Sequence, residues 1–338
     1  RAGARWTRHG ACLLNDAARF CILGETIVKL ATYIRNNSNR VGAVVADQIY
    51  DLAACLQASG QGDPTLAADM ITLLSGGQNA LTSAQAAVTW AQPQGDPALA
   101  QPLAQVKLRA PLPCPGKMLC LAGNYASHIM EGGGAFPEKA KMIPRFFMKP
   151  CTAIIGTGDT VRIPPSAAFA DWELELAVVI GKAGRDISVD QAASHIAGYT
   201  IFNDISAREL TFRQQLPLQE GDWFFDWLVG KWVDSFGPMG PWITTADEVA
   251  QPNNLRMQLW YNGQLQQDAN TGQMIFSPAE AIAFISQFIT LNPGDVISTG
   301  TPAGVGHSKK LRLSAGDQIR GMIEGLGVIE NPVARLGD

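Results

Sequence analysis

The sequence predicts a β-rich α+β protein, and three observations carry that reading. Residues 117–335 hold a series of short runs rich in β-branched and aromatic side chains, each bounded by Gly, Pro or Asp. Residues 29–110 instead combine a hairpin-like start with Ala-rich segments of helical spacing. Between them Pro111, Pro113 and Pro115 mark a linker. The expected organisation is an extension at 1–28, a small N-terminal α/β unit at 29–110 and a larger β-rich unit at 117–335.

Taken in order, residues 1–28 mix Arg, Cys and Gly without a sustained period and lack the long apolar centre of a secretory signal. They read as an extension of doubtful structure, either an expression scar or translation from an upstream start. KLATYI and VGAVVADQIYDLA then read as two strands around a polar break at 36–40. Residues 64–74 and 83–90 carry helical apolar spacing, with Asp63-Pro64 and Thr82-Ser83 as starts. Strands follow at 118–122, 153–155, 160–163, 173–180, 197–203, 255–261, 296–298 and 318–323. The clearest helix is 278–289, where Ser277 can cap, Pro278 fits the first helical position, and Ile282, Ile285 and Ile289 share a face. Many short strands with few helices indicate a roll or barrel.

Composition narrows the function. The 338 residues carry 26 basic and 30 acidic side chains, a net charge of -4, with no basic block, so nucleic acid has little electrostatic support as a partner. No apolar run approaches the roughly 20 residues of a membrane-spanning helix. The six cysteines, Cys12, Cys21, Cys55, Cys114, Cys120 and Cys151, form no C-x-x-C pair and read as reduced thiols. A cytoplasmic protein is expected.

The most informative stretch is DWELELAVVIG at 171–181. Alternation along a strand sends Glu173 and Glu175 one way and Leu174 and Leu176 the other. Two carboxylates at the mouth of a buried strand repel and resist ionisation, and a hard divalent cation with oxygen ligands removes that cost. The spacing alone equally fits two solvated glutamates on an exposed strand end. A second apolar run at 198–203 ends in Asp204, with Asn203, Ser206 and Arg208 beside it, which suits a site as well as an Asx turn. In GNYASHIMEGGG, one helical turn over 126–131 would bring His128 onto the face of Glu131. A carboxylate-tuned imidazole is a natural general base, and the glycines after it suit a lid. His9, His195 and His307 have no such company and read as structural or exposed.

In chain order, GNYASHIMEGG, PRFFMKP, DWELELAVVIG, IFNDISARE, GKWVDSFGPMGPW, YNGQLQQDANTGQMIFSPAEAI, PGDVISTGTPAGVG and IEGLGVIENPV together resemble the fumarylacetoacetate hydrolase family, in its bacterial branch of acylpyruvase-like and 2-hydroxyhepta-2,4-diene-1,7-dioate isomerase-like members. The resemblance covers about residues 29–335. It implies a C-terminal mixed β-sandwich roll or distorted barrel with a small α/β N-terminal domain, commonly as a homodimer. It implies that Glu173, Glu175 and Asp204 ligate Mg²⁺ or Mn²⁺, with Ca²⁺ as a stand-in in crystals. It makes His128 and Glu131 the lid dyad that activates water, and Lys231 the group that stabilises developing negative charge. Thr301 would bind the substrate carboxylate, with Lys149, Arg208 and Tyr125 as further substrate or acid-shell contacts. The implied substrate is a small 2-oxo acid whose carboxylate and keto oxygen chelate the metal as an enolate develops. Hydrolysis of the C–C bond of an acylpyruvate is the leading expectation. Isomerisation or decarboxylation of a 2-oxo or 2-hydroxydienoate diacid, oxaloacetate included, is the alternative, and a non-catalytic cation-binding β protein the third. Two departures stand out: Glu209 replaces a frequent Asp, and Asn124 stands near a position where the animal hydrolases carry an aspartate, which argues against fumarylacetoacetate itself as substrate. Residues 213–227, rich in Gln, Trp and Phe, are expected to shape the pocket.

Overall fold

The computed structural model describes residues 29–337; the extension at 1–28 lies outside them. Its backbone is a twelve-stranded mixed sheet packed against a five-stranded one. The large sheet runs, in spatial order, through Ala100–Pro102, Gln48–Asp51, Ser38–Val45, Lys29–Arg35, Gly237–Thr245, Ile196–Asn203, Leu174–Ile180, Val296–Ser298, Met118–Ala122 and Arg145–Lys149. Two short strands, Lys107–Leu108 and Ile154–Ile155, pair off this path. The small sheet runs through Gln264–Asn270, Arg256–Tyr261, Gln318–Ile323, Gly327–Arg335 and Val161–Ile163. Both strand orders are open-ended, so the arrangement is a sandwich roll and not a closed barrel.

Alternation along Leu174–Ile180 explains the layering. Leu174, Leu176, Val178 and Ile180 point into a core shared with Met257, Leu259, Ile319 and Ile329 of the small sheet. Ala177 and Val179 point the other way, into a core built with Leu52, Leu56, Leu73, Leu74 and Val88 of the N-terminal helices. A strand buried on both faces is continuously apolar, as this one is. The linker at 111–115 is therefore no gap in the fold. Strand Lys29–Arg35 pairs antiparallel with Gly237–Thr245, placing residues 29–110 and the β-rich unit in one sheet.

Several expected elements differ in detail. The second expected strand is broken by a turn at Ala46, whose φ is 52°, into Ser38–Val45 and Gln48–Asp51. Its last residues then form the helix Leu52–Ser59, because the Asp51 carboxylate caps it by accepting from Ala54 N–H. Residues 64–74 divide into a 3₁₀ turn, Pro64–Ala67, and a short helix, Met70–Ser75, since the Asp69 carboxylate caps a new start. The helix at 278 has its full capping box between Ser277 and Glu280, but ends at Ile285. Among the described residues, no helix is long and apolar enough to cross a membrane.

For the site, register matters most. Leu174 stands opposite Asn203, so Glu173 and Asp204 emerge at the same end of adjacent antiparallel strands. Asp204 N–H donates to Glu173 C=O at 2.8 Å, and Glu173 N–H to Asn203 Oδ1 at 2.9 Å. These two bonds fix the relative position of the two acids.

Candidate metal centre and lid

Glu173, Glu175 and Asp204 each present a carboxylate oxygen within 4.8 Å of the others, and all three residues are buried. Asp204 is held by two lysines: Lys149 Nζ donates to Oδ1 and Lys231 Nζ to Oδ2, each at 2.6 Å. Lys231 also donates to Glu173 Oε2 at 2.7 Å, and Arg208 donates to Glu173 Oε1. Arg208 Nε also donates to Asp171 Oδ1 at 2.7 Å. Burial pushes the Glu173 carboxyl upward, but the Lys231 and Arg208 charges outweigh it and hold the acid well below the usual carboxylate range.

Glu175 is different. Its Oε2 accepts from Ser298 Oγ at 2.5 Å and from Gly300 N–H at 2.8 Å, while its Oε1 is buried without a partner among the described residues. Burial, reinforced by the Asp204 and Glu173 charges, drives its pKa well above normal. An orphaned carboxylate oxygen beside two other buried acids is costly unless a cation completes it. The set is all oxygen, which matches hard divalent ions such as Mg²⁺ or Mn²⁺ and not a thiophilic metal. The residues present fit such an ion.

Above the acids lies a cleft of about 470 Å³ lined by His128, Glu131, Glu173, Arg208, Lys231 and Thr301, among others. His128 and Glu131 belong to the short helix Ala126–Glu131, as the spacing predicts, and His128 Nδ1 lies 2.9 Å from Glu131 Oε1. Glu131 Oε2 accepts from Gly304 N–H at 2.8 Å and from Ser308 Oγ at 2.9 Å. Burial raises the Glu131 pKa, but these bonds and His128 bring the net value below normal. Lys231 is the last residue of helix Asp222–Lys231, which the sequence reading left undefined, and its ammonium lies 5.2 Å from the Phe147 ring and 5.8 Å from that of Trp227.

The structure brings together nine of the ten residues expected at the site. Arg208 and Lys149 contact the acids, so they orient the acidic shell. Thr301 lines the cleft, but its hydroxyl donates to Leu174 C=O at 2.9 Å and accepts from Gln267 Nε2 at 2.8 Å. A substrate carboxylate would compete with that donation. Tyr125 needs correction as a substrate contact: it is wholly buried, outside the cleft lining, with its hydroxyl donating to Met257 Sδ at 3.4 Å. Asn124, at the departure noted in the sequence, is a staple. Its side chain bonds Phe276 N–H, Phe276 C=O and Thr299 C=O, fastening the root of the lid. Within residues 213–227, Trp227 lines the cleft, and Arg213, Gln214, Leu218 and Trp223 line an adjoining cavity of about 540 Å³. Sequence reasoning missed Asp171, Ser298, Gly300, Gly304 and Ser308. Asp171 stood in plain view in DWELE, but hydroxyls and backbone N–H groups leave no such signal. His195 is structural, bonded to Lys182 C=O, whereas exposed His307 also lines the cleft rim.

The fold and the clustered acids give an architecture able to hold a divalent cation, and comparison with known proteins gives it a family. The chain belongs to the fumarylacetoacetate hydrolase family: the model described as fumarylacetoacetate (FAA) hydrolase C-terminal matches residues 117–334. A mitochondrial oxaloacetate tautomerase of Bos taurus is 40% identical over 273 residues, covering 80% of this chain and 81% of the relative. The corresponding protein of Xenopus laevis is 38% identical over 300 residues, covering 88% and 86%. Among solved structures, the maleylpyruvate hydrolase of Sphingobium sp. SYK-6, in complex with manganese(II) and pyruvate, superposes with a TM-score of 0.69 at 32% identity, covering 91% of this chain and 99% of that one. The 2-hydroxyhepta-2,4-diene-1,7-dioate isomerase of Mycobacterium marinum gives 0.67 at 30%, covering 92% and 100%.

Proposed function

We propose that this protein is a metal-dependent tautomerase of a small 2-oxo diacid of the oxaloacetate type, moving a proton between the enol oxygen and the adjacent carbon. The observation that carries the reading is a carboxylate-oriented imidazole facing the same cleft as Glu173 and its acidic partners. The tautomerase names of relatives near 40% identity support the reaction class and rank it ahead of the hydrolysis expected from sequence.

Glu173, Glu175 and Asp204 would hold the ion, which when bound supplies Lewis-acid polarisation of the 2-oxo group. The remaining work falls to side chains. Glu131 Oε1 accepts from His128 Nδ1, which fixes the proton on Nδ1 and leaves Nε2 as the base. His128 Nε2 takes the proton from the carbon alpha to the ketone and returns it at oxygen, or the reverse. Lys231 keeps Glu173 and Asp204 converged and contributes positive charge where negative charge grows. Trp227 and Phe147 wall the cleft and limit water.

Hydrolysis of an acylpyruvate remains the second reading, favoured by the likeness to a pyruvate-bound maleylpyruvate hydrolase. There the same imidazole would activate water instead of shuttling the substrate's proton. Assembly as a homodimer belongs to this proposal, as does residence in either the cytoplasm or, as with the relatives named mitochondrial, an organelle.

The deciding experiment follows enol absorbance of oxaloacetate, pyruvate release from acylpyruvates and CO₂ release from oxaloacetate, each with added Mg²⁺ or Mn²⁺. Enzyme-accelerated enol decay without pyruvate or CO₂ is expected. Removing the base in His128→Ala should slow that decay about 10²- to 10⁴-fold. Pyruvate release from acylpyruvates as the dominant activity would overturn the tautomerase assignment in favour of the hydrolase, and CO₂ release from oxaloacetate in favour of a decarboxylase.

A further inference from the structure

The lid is short, six residues, and is followed immediately by Gly132, Gly133 and Gly134. Nothing within such a helix can hold it in a defined place over the acids. Its root is fastened by Asn124 to Phe276 and Thr299, and beyond that root its polar side chains are held by one segment. Ala303 N–H donates to Ser127 Oγ at 3.3 Å, while Gly304 N–H and Ser308 Oγ both donate to Glu131 Oε2. That segment is itself anchored from below: Trp172 Nε1 donates to Gly304 C=O at 3.1 Å, and His307 N–H donates to Asp171 Oδ2 at 2.6 Å. Asp171 shares Arg208 with Glu173. A continuous set of hydrogen bonds thus runs from the lid carboxylate through residues 304–308 to an acid of the metal centre.

Ser308 is the adjustable member. Its hydroxyl has one proton and two acceptors in reach, Glu131 Oε2 and Val305 C=O, both at 2.9 Å. With the lid closed the proton can serve Glu131. With the lid open it returns to Val305, so release leaves no unpaired hydroxyl. By occupying Oε2, Ser308 and Gly304 leave Oε1 alone to face His128 Nδ1, which sets the ring's orientation.

We infer that Ser308 is a positioning residue of the lid: it acts through Glu131 to hold His128 over the acidic cluster. The kinetic part of this inference rests on the 2-oxo acid reading above; the structural part does not.

The test compares wild type, Ser308→Ala and Ser308→Thr as full chains. Removing one hydrogen bond of ordinary strength should lower kcat about fivefold with KM changed less than about twofold. The amide of Gly304, whose proton points at Glu131, should exchange about fivefold faster in Ser308→Ala without metal or substrate. Ser308→Thr, which keeps the hydroxyl, should restore both, and the melting temperature should stay put in all three. Unchanged Gly304 exchange in Ser308→Ala overturns the inference, as does a fall in melting temperature that accounts for the loss. So does a kcat loss that Ser308→Thr fails to restore. If wild type turns over none of the 2-oxo acids, the functional reading fails, and the exchange measurement alone decides whether Ser308 holds the lid.

Discussion

The floor and the lid of the cleft are built on opposite plans. In the floor, Lys149, Lys231, Glu175 and Asp204 are essentially without solvent contact, and charges on separate strands and a helix end lock one another in place. In the lid, His128 and Glu131 keep 22% and 16% of their side-chain surface exposed, and a few hydrogen bonds to one segment hold them. On the proposed function, the floor needs fixed distances among its acids, whereas the helix above it needs to let substrate in. The difference teaches that floor substitutions breaking the cation–carboxylate network should damage the fold, and lid substitutions the chemistry.

The sharpest way to break that contrast is Asp204→Ala. It strips two buried ammonium groups of the carboxylate they share. Breaking a buried charge network by removing one partner costs about 3–5 kcal/mol, and here Lys149 loses its carboxylate while Lys231 keeps Glu173. Urea unfolding of metal-free protein should show a loss of that size. A loss below about 1 kcal/mol would mean the lysines relax to solvent, and the floor is then no more rigid than the lid.

A smaller effect sharpens the contrast within the floor. Glu173 is surrounded by cations, but among the described residues Glu175 is hydrogen-bonded by a hydroxyl and an N–H alone. Glu175→Gln keeps the shape and removes a charge that burial already disfavours. Metal-free stability should therefore hold or rise. Wild type at a hundredfold excess of Mn²⁺ over its Kd should gain about 2.7 kcal/mol by linkage, and that gain should vanish in Glu175→Gln. Thermal shift with and without chelator measures both. A variant that keeps the full metal response would remove Glu175 from the ligand set.

Much of this was legible in the sequence. Alternation along DWELEL put Glu173 and Glu175 on one side, and a polar strand end marked Asp204. What periodicity cannot give is register: Glu173 meets Asp204 because Leu174 pairs with Asn203, a choice made by the whole sheet. Helix Asp222–Lys231 escaped because its exposed aromatic residues, Trp223, Phe224 and Phe225, obscure a helical face. The unity of the large sheet escaped for a similar reason. The prolines at 111–115 announce a boundary in the chain, while the pairing of Lys29–Arg35 with Gly237–Thr245 spans some two hundred residues and leaves no local mark.

The smallest expected effect concerns pH and the lid alone. In the closed lid the Glu131 pKa lies below its ordinary value, because His128, Gly304 N–H and Ser308 together outweigh the upward push of burial. In an open lid the carboxylate returns to that ordinary value. A group depressed in the closed state favours closure fully above the ordinary value and loses that contribution as pH falls through the depressed one. Protection of the Gly304 amide, corrected for intrinsic exchange, should therefore decline as pH falls from the ordinary glutamate range through the depressed value. Glu131→Gln should abolish the decline, since an amide holds the lid weakly but independently of pH in that range. A decline that survives in Glu131→Gln would place the acid-sensitive contact elsewhere, with Asp171 below His307 N–H the next carboxylate along the same segment.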